Sequence, residues 1–258
     1  MLKKINLLRG ARPGFLHLLG SLLVAVLLAG LVFGIWYPHP YREMVGGTEL
    51  FLLVMAVDVV CGPLLTAVLF NPAKPRKELL MDLGLVVLIQ LAALAYGMYT
   101  VVQARPVYAV FEVDRIRVVT VADVDVEDWA KAKSPWNAPP WTGPELITVR
   151  SPISSEEKLA SIDLAMSGKD VSVRPSFWKD WDNRTAGLML QSSKSVPDLR
   201  KKLSGSQQAL IDVAISRSGL PEGRLRSLPM TSFKTTDWIA LIDSQTAKPV
   251  AYAPVDGF

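Results

Sequence analysis

The stretch LFLLVMAVDVVCGPLLTAVLF, residues 50–70, holds 17 apolar residues among 21 and one charged side chain, Asp58. At about 1.5 Å of rise per residue a helix of this length reaches about 30 Å, the thickness of a bilayer's hydrocarbon core. The stretch lacks the apolar–polar alternation of a membrane β-strand. It reads as a transmembrane helix.

Two blocks of the same kind flank it. Residues 15–36 hold 17 apolar side chains of 22, and residues 83–102 hold 16 of 20. The rest of the chain has the apolar share of an ordinary soluble domain. An overall 50% apolar content and 20% charged residues exclude a disordered polyelectrolyte. The first block is too long for the apolar segment of a signal peptide, and no small-residue cleavage site follows it, so it reads as an uncleaved anchor. Pro13-Gly14-Phe15 before a long apolar helix resembles a prepilin cleavage site. That family carries a glutamate at the fifth position after the cut, where this chain has Leu19.

Basic residues orient the three spans. Lys3, Lys4, Arg9 and Arg12 precede the first, and Lys74, Arg76 and Lys77 separate the second from the third. Arg42, beside Glu43 and Glu49, is alone between the first and second. The positive-inside rule puts the N-terminus and the second loop in the cytoplasm, and everything after residue 102 outside, in a bacterial periplasm. Trp36 and Tyr37, with Tyr96 and Tyr99, are the expected interfacial anchors. The expected organisation is an α-helical membrane domain of three transmembrane helices, residues 1–104, followed by a small α+β periplasmic domain with a mainly antiparallel sheet, residues 105–258.

The outer domain carries 20 basic and 19 acidic residues, so the net charge of +4 belongs mainly to the rim of the spans. Nucleic acid is not an expected partner. Residues 107–120 read as extended, with a turn at Asp114-Arg115, and residues 123–133 as a short helix. The run SPWNAPPWTGP, residues 134–144, is a loop. Ser154 and Glu157 form a capping box for a helix through Leu159, Ile162, Leu164 and Met166, ended at Gly168. Residues 206–218 read as an amphipathic helix with Leu210, Val213 and Ala214 on its apolar face and a stop at Gly219. Residues 225–230, 237–243 and 248–254 read as strands. In the last two, Trp238, Ala240 and Ile242 alternate, as do Val250 and Tyr252.

Chemistry is scarce. One cysteine, Cys61, excludes an internal disulfide and a multi-cysteine metal site, and reads as a buried, quiet residue. The two histidines, His17 and His39, both precede the outer domain, so that domain cannot hold a Ser-His-Asp triad. There is no H-E-x-x-H, P-loop or G-x-G-x-x-G. No cofactor or metal is expected. Asp58 stands out because an ionisable residue at mid-membrane is costly unless neutralised or paired. Three readings are open: a hydrogen bond to Gln90 at similar depth in the third span, contact with a partner, or proton transfer. Gly62 and Pro63 notch and bend the second span, receiving either another helix of this chain or one from a partner, and Thr66 lies one turn further. In the proline-rich loop, Trp136 and Trp141 either fold back on the core or mark a protein contact. A membrane-anchored envelope enzyme or sensor is the rival to a contact-based role.

The strings D-V-x-x-G-P-L-x-T, residues 58–66, and R-P-V-Y-A-V-F-E-V-D-R, residues 105–115, carry a resemblance. With Q-L-A-A-L-A-Y-G-M-Y-T at residues 90–100 and the ending K-P-V-A-Y-A-P-V-D-G-F, the sequence resembles the TfpX/TfpZ-type accessory proteins of type IV pilins. The resemblance is strong over residues 15–120 and looser over 121–224. It implies a non-enzymatic inner-membrane protein that assists pilin stability, pilus assembly or pilus dynamics. The implied partners are a type IV pilin, the lipid bilayer and other pilus machinery.

Overall fold

A computed structural model describes residues 7–258. Lys3 and Lys4, part of the basic rim, lie outside the described residues. The chain divides into two compact units. One is built from the chain up to Ile35 together with Gly46–Ala104, the other from Trp36–Val45 together with Arg105–Phe258.

The first unit contains three long helices. α1 runs from Leu7 to Leu31 and continues through a π-helical turn to Trp36. After the single-turn α2 (Tyr41–Met44), α3 spans Gly47–Leu69 and α4 spans Arg76–Gln103. All three are long and apolar enough to cross a membrane. Their leucines point outward, Leu23, Leu53 and Leu88 each being more than 60% exposed. A surface so apolar is stable only against hydrocarbon or other apolar partners. α1 and α4 both pack against α3, which stands between them. α3 passes through Pro63 without a break in its helical assignment. Cys61 corrects the sequence reading: it is exposed, on the outer face of α3.

The second unit is a mixed α/β fold. Its elements after α4 are β1 (Pro106–Glu112), β2 (Arg115–Thr120), α5 (Val126–Trp129), β3 (Glu145–Val149), α6 (Ser155–Met166), β4 (Trp178–Lys179), α7 (Asn183–Ser192), β5 (Lys194–Ser195), α8 (Val196–Arg200), α9 (Gly205–Ser218), β6 (Leu225–Thr231), β7 (Trp238–Asp243) and β8 (Pro249–Ala253). One eight-stranded sheet runs β4-β3-β1-β2-β6-β7-β8, with β5 also on β6. β2 pairs with Met230 and Thr231 and β5 with Arg226 and Ser227, so the two share one edge of β6.

The sheet is mixed, which corrects the expectation of a mainly antiparallel one. β1–β3 and β2–β6 are parallel, and the other pairs are antiparallel. The antiparallel hairpins β1–β2, β6–β7 and β7–β8 close through short turns. The parallel pairs join strands distant in sequence, as parallel geometry demands. The first turn is Val113-Asp114, one residue ahead of the expected position, with Val113 at φ +52°.

Two cores hold the sheet. Val107, Val110, Val119, Ile147 and Trp178 form one, with Trp136 packed on it. Ile211, Ala214, Leu225, Ile239, Leu241 and Ala253 form the other, beneath α9. α9 opens on a Ser204–Gln207 capping box and stops at Gly219, whose φ of +67° suits a residue without a Cβ. Of the stripe read from the sequence Ala214 is buried, whereas Leu210 and Val213 are exposed and Ile211 is buried in their place. Five apolar residues crowd positions 210–215, and packing against β7 and β8 chooses among them. α6 likewise turns Leu159, Ile162 and Met166 outward.

Every residue of β7 from Ile239 to Ile242 is fully buried, so both faces of this strand are covered. α9 covers the face of Ile239 and Leu241. The Trp36–Val45 segment lies along the other. The His39 ring meets Trp238 at 6.3 Å, Tyr41 meets Tyr252 at 6.0 Å, and Ser232 Oγ donates to the Met44 carbonyl at 2.7 Å. The expected Trp238–Ala240–Ile242 stripe is therefore the second of two buried faces.

Candidate functional site

The membrane unit gathers its polar side chains around α3. Asp58 is eleven residues from either end of the Gly47–Leu69 helix, at mid-span. Gln90 is equally central in α4. The Gln90 amide donates through Nε2 to the Asp58 backbone carbonyl at 2.9 Å and to its Oδ1 at 3.2 Å. Gly62 makes this possible. A Cβ built there would lie 2.0–2.2 Å from the Gln90 amide atoms, so the amide rests flat on the glycine. One turn on, buried Thr66 pairs its Oγ1 with His17 Nδ1 of α1 at 2.6 Å. Pro63 is buried, with its carbonyl 3.0 Å from where a Cβ on Gly14 would stand. Gly14, the residue of the prepilin-like string, is thus a packing position between α1 and α3.

Gln90 is 91% buried, and its Oε1 has no hydrogen-bond partner. A buried unsatisfied carbonyl costs about 1–3 kcal/mol. The Gln90 side chain lines a groove of about 250 Å³ with His17, Gly20 and Ser21 of α1, Asp58 of α3 and Val87 of α4, while its Oε1 is turned against Gly62 and closed off from that groove. Asp58→Asn keeps an acceptor at Oδ1, so this variant should accumulate in membranes at the parental level. Gln90→Leu removes the α3–α4 hydrogen bonds, each worth about 0.6–2 kcal/mol in a membrane, and should accumulate less. Quantitative immunoblotting of washed membranes checks both. Equal levels for the Leu variant would show that the pair does not support the bundle.

In the second unit the two loop tryptophans part company. Trp136 folds onto the core, its ring 5.6 Å from Tyr108 and 6.2 Å from Trp178, while its carbonyl accepts from Trp129 Nε1. Trp141 is 68% exposed and meets the edge of Trp36 at 5.6 Å. Arg105 lies over the Trp36 ring at 5.7 Å and donates from Nη1 to the Trp141 carbonyl at 3.1 Å. Burial pushes the Arg105 guanidinium down and the Tyr37 hydroxyl up, and raises Tyr108 to about 12. Trp36 and Tyr37, expected as interfacial anchors, are both buried in this unit. The sequence reading missed that Trp36–Val45 belongs to the second unit. It also missed the His17–Thr66 pair, since a lone histidine and threonine 49 residues apart give no local signal.

Burial also raises the Glu112 carboxyl above its ordinary value. The folded protein therefore holds that proton more tightly than the unfolded chain. Stability should fall as pH rises from the ordinary carboxylate range through the raised value. Glu112→Gln should melt higher than the parent at neutral pH and equal it near pH 3. Thermal unfolding across that range tests this, and a constant difference between the two proteins would refute it.

Among the described residues no group of three or more His, Cys, Asp or Glu side chains could hold a metal ion. A curated relative, "Fimbrial assembly protein, serogroup I" from Dichelobacter nodosus, is 36% identical over 242 residues, covering 94% of both chains. This chain belongs to the fimbrial assembly protein family. The serogroup E1 fimbrial assembly protein of the same organism is 34% identical over 94% of both chains. That of serogroups C1 and C2 is 46% identical over 131 residues, half of this chain and all of the relative. The family model "Fimbrial assembly protein FimB" matches residues 6–46, which run through α1 and α2. No solved structure matches this fimbrial assembly protein family member.

Proposed function

We propose that this chain is a non-enzymatic inner-membrane accessory protein for a type IV pilin, of the TfpX/TfpZ kind, acting as a chaperone in pilus assembly or in pilus dynamics such as twitching. The observation that carries this is similarity to fimbrial assembly proteins over 94% of both chains. The mode of action is contact. The bundle offers a polar patch at mid-membrane (Asp58, Gly62, Pro63, Thr66 and Gln90), and the outer unit offers Trp141, with Trp136 behind it in the same loop. A subunit with an apolar helix in the membrane and a head outside it can touch both. Two tethered weak contacts raise effective concentration without either being tight.

Packing supports the topology of three spans. Trp36–Val45 and Arg105–Phe258 fold together, so they share a compartment. That requires an even number of crossings between them, which α3 and α4 supply. The basic residues Arg12, Lys74, Arg76 and Lys77 support the periplasm as the shared compartment. A periplasm-active reporter fused after Phe258 should be active, and one at Lys77 inactive.

Deletion in a piliated strain should lower surface pili or twitching, and a cross-linker at Trp141 should capture pilin. A piliated strain with neither phenotype nor adduct would overturn the reading.

A further inference from the structure

Phe233 stands in the loop between β6 and β7 and is 67% exposed. The loop holds its own backbone. Ser232 Oγ accepts from the amides of Lys234 and Thr235, both at 3.1 Å, and Ser232 N donates to the Thr235 carbonyl at 2.8 Å. Asp237 N donates to Thr235 Oγ1 at 3.1 Å. These bonds make a tight turn that keeps the Phe233 ring outward. They also satisfy four backbone amides from within, which is what a segment needs before it can leave bulk water.

The Ser232 hydroxyl has a second task. It donates to the Met44 carbonyl at 2.7 Å and so ties the loop to the chain just ahead of α3. Met44 is three residues before Gly47, where α3 begins. Three residues of extended chain reach at most about 11 Å. With α3 crossing a bilayer, covalent length alone keeps this loop close to the headgroups at that end of the span.

We infer that Phe233 anchors the second unit to the lipid surface, its ring at the boundary of headgroups and acyl chains and the exposed Lys234 among the phosphates. Lipid is the occupant because the loop continues the bilayer contact that the three apolar helices already make. An aromatic ring beside a cation on a flexible stem also suits that boundary, the ring in the apolar layer and the ammonium in the wet one. Asp237, the acid of the loop, stands at its foot, next to the first residue of β7. The contact fixes which side of the second unit faces the membrane, and it does not depend on the class of pilus partner.

The test uses the full chain in nanodiscs that hold one copy each and purified phospholipid only, so neither a pilus protein nor a second copy can cover the loop. Hydroxyl-radical labelling of the parental chain needs no substitution. By exposure in the folded chain, Phe233 should be oxidised faster than Phe258, which is 42% exposed. Lipid cover should reverse that order, with Phe233 reacting several-fold more slowly. A fluorophore on Phe233→Cys in a Cys61→Ala background should be quenched several-fold more by lipids with a nitroxide on the acyl chain than one on Ile153→Cys, an 84% exposed position of the same unit. Oxidation of Phe233 ahead of Phe258, or equal quenching at the two labelled positions, would overturn the inference. Protection of Phe233 without quenching would overturn it too, since the protein itself would then cover the ring.

Discussion

Gly10→Val should separate the first two spans and leave the protein open to proteolysis. A Cβ at Gly10 would stand 1.9 Å from the Ala67 carbonyl oxygen, 2.7 Å from its carbon and 2.9 Å from its Cα. These are backbone atoms of a helix, so no rotamer change relieves the clash. Gly14, four residues on, would put a Cβ 2.9 Å from that of Ala67. Gly10 and Gly14 therefore form one small-xxx-small face on which α1 and α3 cross. Overpacking a side chain into a well-filled core costs about 1–3 kcal/mol, and pressing it into backbone costs more. Protease resistance in mild detergent should be lost for Gly10→Val and kept for Gly20→Ala, whose new methyl meets nothing. Parental resistance in the Gly10 variant would show that the crossing is not the support described.

Tyr37→Ala should unfold the second unit even though residue 37 precedes α3 and α4. Tyr37 and Met44 are both fully buried. Truncating a buried aromatic to alanine costs about 3–5 kcal/mol, a large part of the 5–15 kcal/mol that holds a domain folded. Residues 105–258 produced alone should show the same weakness. Without Trp36–Val45, the face of Ala240, Ile242 and Tyr252 is bare. The fragment should bind a hydrophobic dye and melt at lower temperature, and a linked copy of residues 36–45 should reverse both effects. A fragment that melts with the intact protein and binds no dye would disprove this.

The parts of the fold that could be read were those whose signals are local. The three spans depend on length and apolar content alone. The hairpins β1–β2, β6–β7 and β7–β8 are marked by β-branched runs and short turns, and the Gly219 stop by its neighbours. β3, β4 and β5 were invisible, being five, two and two residues long and defined by partners far away in sequence. α7 (NRTAGLMLQS) hid because its glycine and short length resemble a loop, while Asp182, accepting from Thr185 N at 2.7 Å, supplies the cap. The expected helix at 123–133 shrank to the single turn of α5. At the candidate site the depth match of Asp58 and Gln90 was countable from the helix ends. Gly20 and His17 were not, because which face of α1 meets α3 is decided by Gly10 and Gly14 against Ala67.

The stitched-in segment also sets a timetable for biosynthesis. Tyr41 and Tyr252 touch across 211 residues of chain, and Met44 and Ser232 across 188. At roughly 5–20 residues per second, the first-made piece of the outer unit waits about 10–40 s for its complement. During that interval Tyr41 and Met44 lack Tyr252 and Ser232, the partners they meet in the folded unit. Each molecule is thus open to capture once in its life, before its last strands arrive, and a slowed ribosome lengthens that window.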